Sequence, residues 1–281
     1  MNMRYFILLF PVIMFAGCEY EAGYGLRPPV VGRYTDLDSA LEDPSSVREL
    51  ILTDIGDSLS PEIGQFPRLY HLEIRDSPIR FLPEEIGELK LTRLKLVATR
   101  LEHIPPQIWR YKNIYDLSII RSTISTVPDS LISSNIHILE LSLSKLKSLP
   151  EWMQRWEQLD GSLILDNCEF EHFSAGENAF PGVWQMGLRR NSLRTFEAGP
   201  NSFRSLKILY LHSNKLTEFN VSSGSMRNLQ SLDLKYNNLT DFQVPMSALP
   251  GLEYLSLTGN PIPPASVERI RQSFPNTRVI F

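Results

Sequence analysis

Apolar residues recur along most of this chain at a fixed spacing. With Leu209 as an anchor, apolar side chains stand at −3, +2, +7 and +10, and a small or polar residue stands at +5. The same spacing returns at Leu72, Leu94, Leu117, Leu139, Leu163, Met186, Leu232 and Leu255, with a less regular copy at Leu50 and a terminal half-copy at Val279. Successive anchors lie 22 to 24 residues apart. The anchor and its +2 neighbour share a face, as on a short strand, and the rest of each copy fits neither strand alternation nor a helix stripe. A repeat of this length predicts one strand and one return segment per copy, stacked on its neighbours because no copy can bury its apolar face alone.

The best copies, "LKILYLHSNKL" (206–216), "LQSLDLKYNNL" (229–239) and "LEYLSLTGNPI" (252–262), resemble the leucine-rich repeat family. The resemblance runs over about residues 47–281. It implies an α/β solenoid, a curved leucine-rich-repeat array with a concave parallel β-sheet, a mostly irregular or 3₁₀ convex side and short helical caps. Such arrays are scaffolds, so the resemblance fixes a fold more sharply than a role.

Each position then has a physical task. The +10 series, Leu82, Ile104, Val127 and Leu149 followed by Phe173, Phe196, Phe219 and Phe242, should stack as an internal spine. The +5 residue sits where the chain leaves the strand, and backbone groups buried there need partners. Asn191, Asn214, Asn237 and Asn260 hold that place and offer both donors and an acceptor. Earlier copies use Ser77, Thr99, Ser122, Ser144 and Cys168, which offer less. Cys168 therefore reads as a buried ladder residue, with no base spaced to activate it. Return segments such as "FLPEEIGEL", "HIPPQIWRY" and "SLPEWMQRW" carry a proline that suits an extended or 3₁₀ convex path, and the later copies shift or lose it.

The ends of the array need covers. "RYTDLDSALEDPSSV" offers Asp36 or Asp38 as a helix N-cap, and "PPASVERIRQSFPNTRVIF" reads as a short helix and a final edge strand. The start differs from everything after it. One positive charge, a twelve-residue apolar run and "GC" have the layout of a secretory signal peptide, too short to span a bilayer core of about 30 Å as a helix. The ending "FAGC" resembles the lipobox of bacterial lipoproteins, which implies lipidation at Cys18 and attachment to the bacterial cell envelope, with the outer membrane or cell surface as the expected location. The expected organisation is a signal peptide over 1–17, a tether over 18–33, an N-terminal cap over 34–46, about ten repeats over 47–262 and a C-terminal cap over 263–281.

Composition adds exclusions. A net charge of −4 gives no basic field for a nucleic-acid partner, and two cysteines make neither a disulfide framework nor a metal cluster. No metalloprotease, nucleophile-elbow, phosphate-loop or C-x-x-C motif is present, and the expectation is a non-enzyme without cofactor or metal. What remains is the outward face of the concave sheet, at −1, +1, +3 and +4. In its C-terminal half Arg189, Tyr210, His212, Asp233, Lys235, Tyr236 and Tyr254 form the candidate ligand-binding set, rich in the residue types that carry interface energy. The resulting expectation is a lipid-anchored scaffold that binds a protein ligand. Two alternatives stay open: a structural envelope protein without a specific soluble ligand, or an intracellular regulator if the N-terminus is not a signal. The sequence does not give the oligomeric state.

Overall fold

The computed structural model describes residues 31–104 and 113–281. The proposed signal, most of the tether, Cys18 and the prolines of "HIPPQIWRY" lie outside the described residues. The compact unit begins at Gly32 and runs to Phe281. Its frame is a parallel sheet with twelve strands among the described residues. These are β1 (Arg33–Tyr34), β2 (Glu49–Thr53), β3 (His71–Arg75), β4 (Arg93–Val97), β5 (Asp116–Ile120), β6 (Ile138–Glu140), β7 (Ser162–Ile164), β9 (Gln185–Gly187), β11 (Ile208–Tyr210), β13 (Ser231–Asp233), β14 (Tyr254–Ser256) and β15 (Arg278–Ile280).

The register of this sheet is the register of the repeat. Leu50 pairs with Leu72, Leu72 with Leu94, Leu94 with Leu117 and Leu117 with Leu139. The anchor line continues through Leu163, Met186, Leu209, Leu232 and Leu255 to Val279. Ten anchors from Leu50 to Leu255 are fully buried, and their +2 partners are buried with them. A slip of one residue in any strand would turn both onto the solvent face, so the apolar pattern itself locks the register. Arg33 pairs with Glu49, which brings the last residue assigned to the tether into the sheet.

The convex side follows the expected 3₁₀ turns in part, at Pro61–Gln65, Glu84–Glu88, Asp129–Ser133, Glu151–Arg155 and Met246–Ala248. Between the last two lies a feature the repeat spacing did not reveal. Strands β8 (His172–Ala175), β10 (Thr195–Ala198) and β12 (Glu218–Val221) form a second parallel sheet. At +11 the early copies place Pro83, Pro128 and Pro150, whereas these three place Ser174, Glu197 and Asn220. Without the proline an N–H is free to enter a ladder, and "HFSA", "TFEA" and "EFNV" alternate as a half-buried strand requires.

Under that sheet the phenylalanine spine forms as expected. Phe173 stacks on Phe196 at 5.2 Å, Phe196 on Phe219 at 5.3 Å and Phe219 on Phe242 at 5.9 Å, and Phe274 of the cap closes the file at 5.6 Å. A second file, Phe180 on Phe203 at 5.3 Å, runs beside it at +17. The covers also form. Helix α1 (Leu37–Glu42) starts at Asp36, whose carboxylate accepts the Ser39 N–H at 2.8 Å. Helix α2 (Pro264–Ser273) precedes the edge strand β15.

The +5 ladder differs between halves as its chemistry dictates. Asn214 donates to the carbonyls of Leu188 at 2.8 Å and Leu211 at 2.9 Å, and accepts the Leu193 N–H at 3.1 Å. Asn191, Asn237 and Asn260 repeat this pattern. Ser144 donates only to the Leu141 carbonyl, at 2.8 Å, and touches the Cys168 sulfur at 3.3 Å. The Cys168 thiol donates to the same carbonyl at 3.2 Å, and burial pushes its pKa up, opposite to what a nucleophile needs. Asn214→Ala leaves the buried Leu193 N–H without a partner and strips the Leu188 and Leu211 carbonyls of one of the two amide donors each receives, and should cost about 1–3 kcal/mol. Ser144→Ala should cost clearly less, and denaturant midpoints of the two variants, followed by one probe, make the comparison. Equal, negligible shifts would mean that the amide ladder does not hold the rungs together.

Candidate functional site

Outward positions on the concave sheet are aligned by the same register, so residues 22 or 23 apart in sequence become neighbours. Strands in a sheet lie about 4.8 Å apart, close enough for side chains on adjacent rungs to touch. Arg189 and Tyr210, both in the candidate set, do meet: the guanidinium carbon lies 4.9 Å from the ring centroid. The residue that holds this pair was not in that set. Asp166, at +3 one rung before Arg189, accepts the Arg189 backbone N–H on Oδ1 at 2.7 Å and the Nε–H on Oδ2 at 2.6 Å, with Nη2 also 2.6 Å from Oδ2. The Arg189 and Asp166 side chains are only 16% and 10% exposed, so the pair is shielded from water and the guanidinium has one orientation.

A glycine makes room for this brace. Gly187 occupies the outward +1 position where neighbouring rungs carry Ile164 and Tyr210. A Cβ there would sit 2.9 Å from Asp166 Oδ1 and 3.2 Å from Ile164 Cδ1. The Asp166 carboxylate thus leans into the space a side chain would fill. Burial raises its pKa even against the pull of Arg189, so falling pH loosens this brace sooner than it would an exposed pair.

The other candidates are distributed around the pair. Asp233 is adjacent to Tyr210 in the ladder but is buried, and its carboxylate is taken by the Lys235 backbone N–H at 3.1 Å and the Lys235 ammonium at 3.3 Å. It braces Lys235 as Asp166 braces Arg189. His212 is partly buried between these cations, and burial first, then Arg189 and Lys235, lower its pKa against the opposing effect of Asp233. Tyr254 stands one row lower, opposite Ser231 and Arg278. Tyr236 lies past the strand end with φ +54° and 61% exposure, its ring lying over Gly259. The structure therefore gathers Arg189, Tyr210, His212 and the Asp233–Lys235 pair into one area, and leaves Tyr236 and Tyr254 at its margins.

The N-terminal half of the same face is built from more heavily paired charges. Glu73 accepts the Arg75 Nε–H at 2.9 Å and lies 3.4 Å from Lys95. Burial alone would raise Glu73, but these two cations outweigh it and hold its pKa low. Arg93 pairs with Asp116 at 3.1 Å. His71 between these rungs is buried, with neither ring nitrogen hydrogen-bonded, and burial lowers its pKa. Acidic and basic residues alternate across the sheet, and the face has no basic field. These cross-rung pairs were legible in principle as opposite charges at matched repeat positions.

Residues 204–262 match the family model described as leucine rich repeat. No curated protein matches the chain in sequence. Among solved structures, the plant peptide hormone receptor RGFR1 in complex with RGF2 is similar with a TM-score of 0.59 and 20% identity, over 84% of this chain and 40% of that one. The TLR13–ssRNA13 complex gives 0.58 and 21%, over 79% and 37%. The leucine-rich repeat domain of the type III effector XopL gives 0.56 and 19%, over 86% and 79%. The chain thus spans less than half of the RGFR1 and TLR13 chains, and at these identities the likeness is one of fold.

The Gly187 notch gives a signed prediction. Gly→Ala in a strand normally stabilises by about 0.5–1 kcal/mol. Gly187→Ala should instead lower the melting midpoint, because the new methyl displaces Asp166. In an Asp166→Ala background the same change should turn neutral or stabilising, and a double-mutant cycle reads the coupling. Additive effects would show that the notch and the brace are independent.

Proposed function

We propose that this chain, a leucine-rich-repeat protein by fold, is a non-enzymatic scaffold that binds a protein or peptide on the C-terminal half of its concave sheet. The observation that carries this reading is the braced stack of Asp166, Arg189 and Tyr210. An arginine fixed by a buried carboxylate and laid on a tyrosine presents a rigid, amphipathic surface whose ordering cost is met before any partner arrives. Arginine and tyrosine are also the types that most often dominate interface energy. The alternating charges of the concave face suit a partner with polar groups of both signs and are poorly suited to a phosphate backbone. The peptide-bound state of the RGFR1 receptor supports a peptide or protein ligand by analogy of fold.

The expected setting is the bacterial cell envelope, with attachment through a lipid on Cys18. Its support is the order of one cation, twelve apolar residues and "AGC" at the N-terminus. Wild-type protein should take up a clickable fatty acid in cells and enter the detergent phase on partitioning, and Cys18→Ser should do neither. Label that persists on the serine variant removes the lipidation reading and leaves the concave-face reading untouched.

The binding reading is tested by affinity capture from envelope extracts followed by titration of the captured protein in pure form. Tyr210→Ala and Arg189→Ala should each weaken the complex by about 2 kcal/mol if they are hot spots. Lys235→Ala, nearer the rim in exposure, should act more weakly and mainly at low salt. Glu84→Ala with Glu85→Ala, in a convex turn, serves as the control and should bind normally. Loss through the convex pair with normal binding by the tyrosine and arginine variants would overturn the concave assignment.

A further inference from the structure

The concave sheet is not the only ordered surface the repeat creates. Past the C-terminal end of each concave strand the chain turns, and positions +4, +6 and +8 face solvent while +5 and +7 are buried, as Ser213, Lys215 and Thr217 alternate with Asn214 and Leu216. The +6 backbone is tied rung to rung: the Lys145 N–H donates to the Ile124 carbonyl at 2.9 Å, and the Lys215 N–H to Leu193 at 2.9 Å. These bonds hold the outward side chains in file along one flank of the solenoid.

On the six rungs anchored from Leu94 to Leu209 that flank is basic. Arg121 and Arg190 stand at +4, Arg100, Lys145 and Lys215 at +6, and Lys147 and Arg194 at +8, all exposed. Only Glu102, Glu169 and Glu171 oppose these seven cations at the same positions. Lys147 and Glu169 are 3.7 Å apart and well exposed, a weak pair. The chain as a whole carries −4, so the excess of cations here is a local arrangement. At about 4.8 Å per rung it runs for roughly 24 Å.

We propose that this flank docks against an anionic lipid surface. What stands between the cations decides for a lipid surface over a protein. The outward positions on these rungs hold serine, threonine, asparagine, Ala98 and Leu143 besides the charges, and no aromatic residue. A protein interface is built around apolar or aromatic anchors in packed pockets, and this flank offers only Ala98 and one half-buried leucine, Leu143. A row of long cations on a polar strip matches a diffuse field of headgroup phosphates, where each cation adds attraction without needing a fixed partner. The N-terminal apolar run would bring the chain to such a surface, but the docking does not depend on Cys18 carrying a lipid, nor on the concave face binding a protein.

The test uses the full chain, added to preformed vesicles of phosphatidylcholine alone or of phosphatidylcholine with phosphatidylglycerol and followed by flotation. The apolar N-terminus contributes to both, so the ratio of the two affinities is the readout. Wild type should favour the phosphatidylglycerol vesicles about tenfold or more, and the preference should vanish at about 1 M salt, where the Debye length is about 3 Å. The variant K145E/K147E/R194E/K215E should show no preference. The milder K145Q/K147Q, checked by circular dichroism, should retain the fold and lose part of the preference for phosphatidylglycerol, while Tyr210→Ala should keep all of that preference. Equal binding of wild type to both vesicles overturns the proposal, as does a preference that survives charge reversal. Soluble heparin or polyglutamate binding as tightly as the anionic vesicles would also overturn it, in favour of a soluble polyanion.

Discussion

Everything in this fold rests on one requirement: each buried backbone N–H and C=O must find its partner on the next rung. A single rung has no internal hydrogen-bond ladder and no core of its own, so the stacking of rungs supplies both at once. The strands satisfy this through parallel pairing along the anchor line, and the turns satisfy it through side chains at +5. Asn191, Asn214, Asn237 and Asn260 each join two rungs, donating to a carbonyl on both and accepting an N–H from the earlier one. The repeat length is held within 22 to 24 residues, because each rung must bring its anchor and its +5 residue back beside those of the rung before.

That requirement separates what the sequence discloses from what it does not. Anchors, +2 residues, the phenylalanine spine and the amide ladder are legible because the same inward chemistry is demanded on each rung. The turn conformation was not legible. Asp54, Asp76, Ala98, Arg121, Leu143, Asn167, Arg190, Ser213 and Tyr236, all at +4, have φ between 46° and 59°, and Gly259 has 75°. Asparagine, aspartate and glycine favour that region, but leucine, arginine and tyrosine do not, at about 1–2 kcal/mol each. Stacking imposes the turn on whatever residue stands there. Local preference therefore carries no signal at this position, and the second file of phenylalanines was missed for a different reason: Phe180 and Phe203 also sit at positive φ, in an Asn-x-Phe turn that recurs on only two rungs and so falls outside the common repeat spacing.

The outward face is free of the stacking requirement, which is why its chemistry varies from rung to rung. Candidate residues could be placed on it by counting from the anchor, yet their partnerships could not be read from residue type. Asp166 carries no mark that distinguishes it from any surface aspartate until the register brings it beside Arg189. Gly187 looks like a weak point in a strand until a methyl built on it meets the Asp166 carboxylate. Asp233 looks like a ligand-binding acid until Lys235 is seen to occupy it. In all three cases the deciding fact is a neighbour one or two positions away in space and, for the first two, a full repeat away in sequence.

The two halves of the solenoid differ in a way that traces back to the ladder. The asparagine oxygens accept the N–H groups of Phe170, Leu193 and Leu216. Each of these residues lies two positions before a convex strand, β8, β10 or β12. The amide thus pins the chain where the return segment begins, and alternating residues without proline can pair from there. The serines do not pin that position: Ser122 accepts the N–H of Ile124 in its own rung, at 3.4 Å, and Ser77 accepts the Ile55 N–H of the rung before, at 3.2 Å, two residues short of the +7 position that the asparagines reach. Where their return segments are described, the rungs that receive no such amide carry proline at +11 and close through 3₁₀ turns instead. Asn260 marks the limit of the rule, since it pins Leu239 but no strand follows. There Pro245 stands at +13 and starts a 3₁₀ turn, removing the N–H that a fourth convex strand would need. A convex strand in this chain therefore takes both conditions, an amide from the following rung to fix its start and a proline-free stretch to continue it.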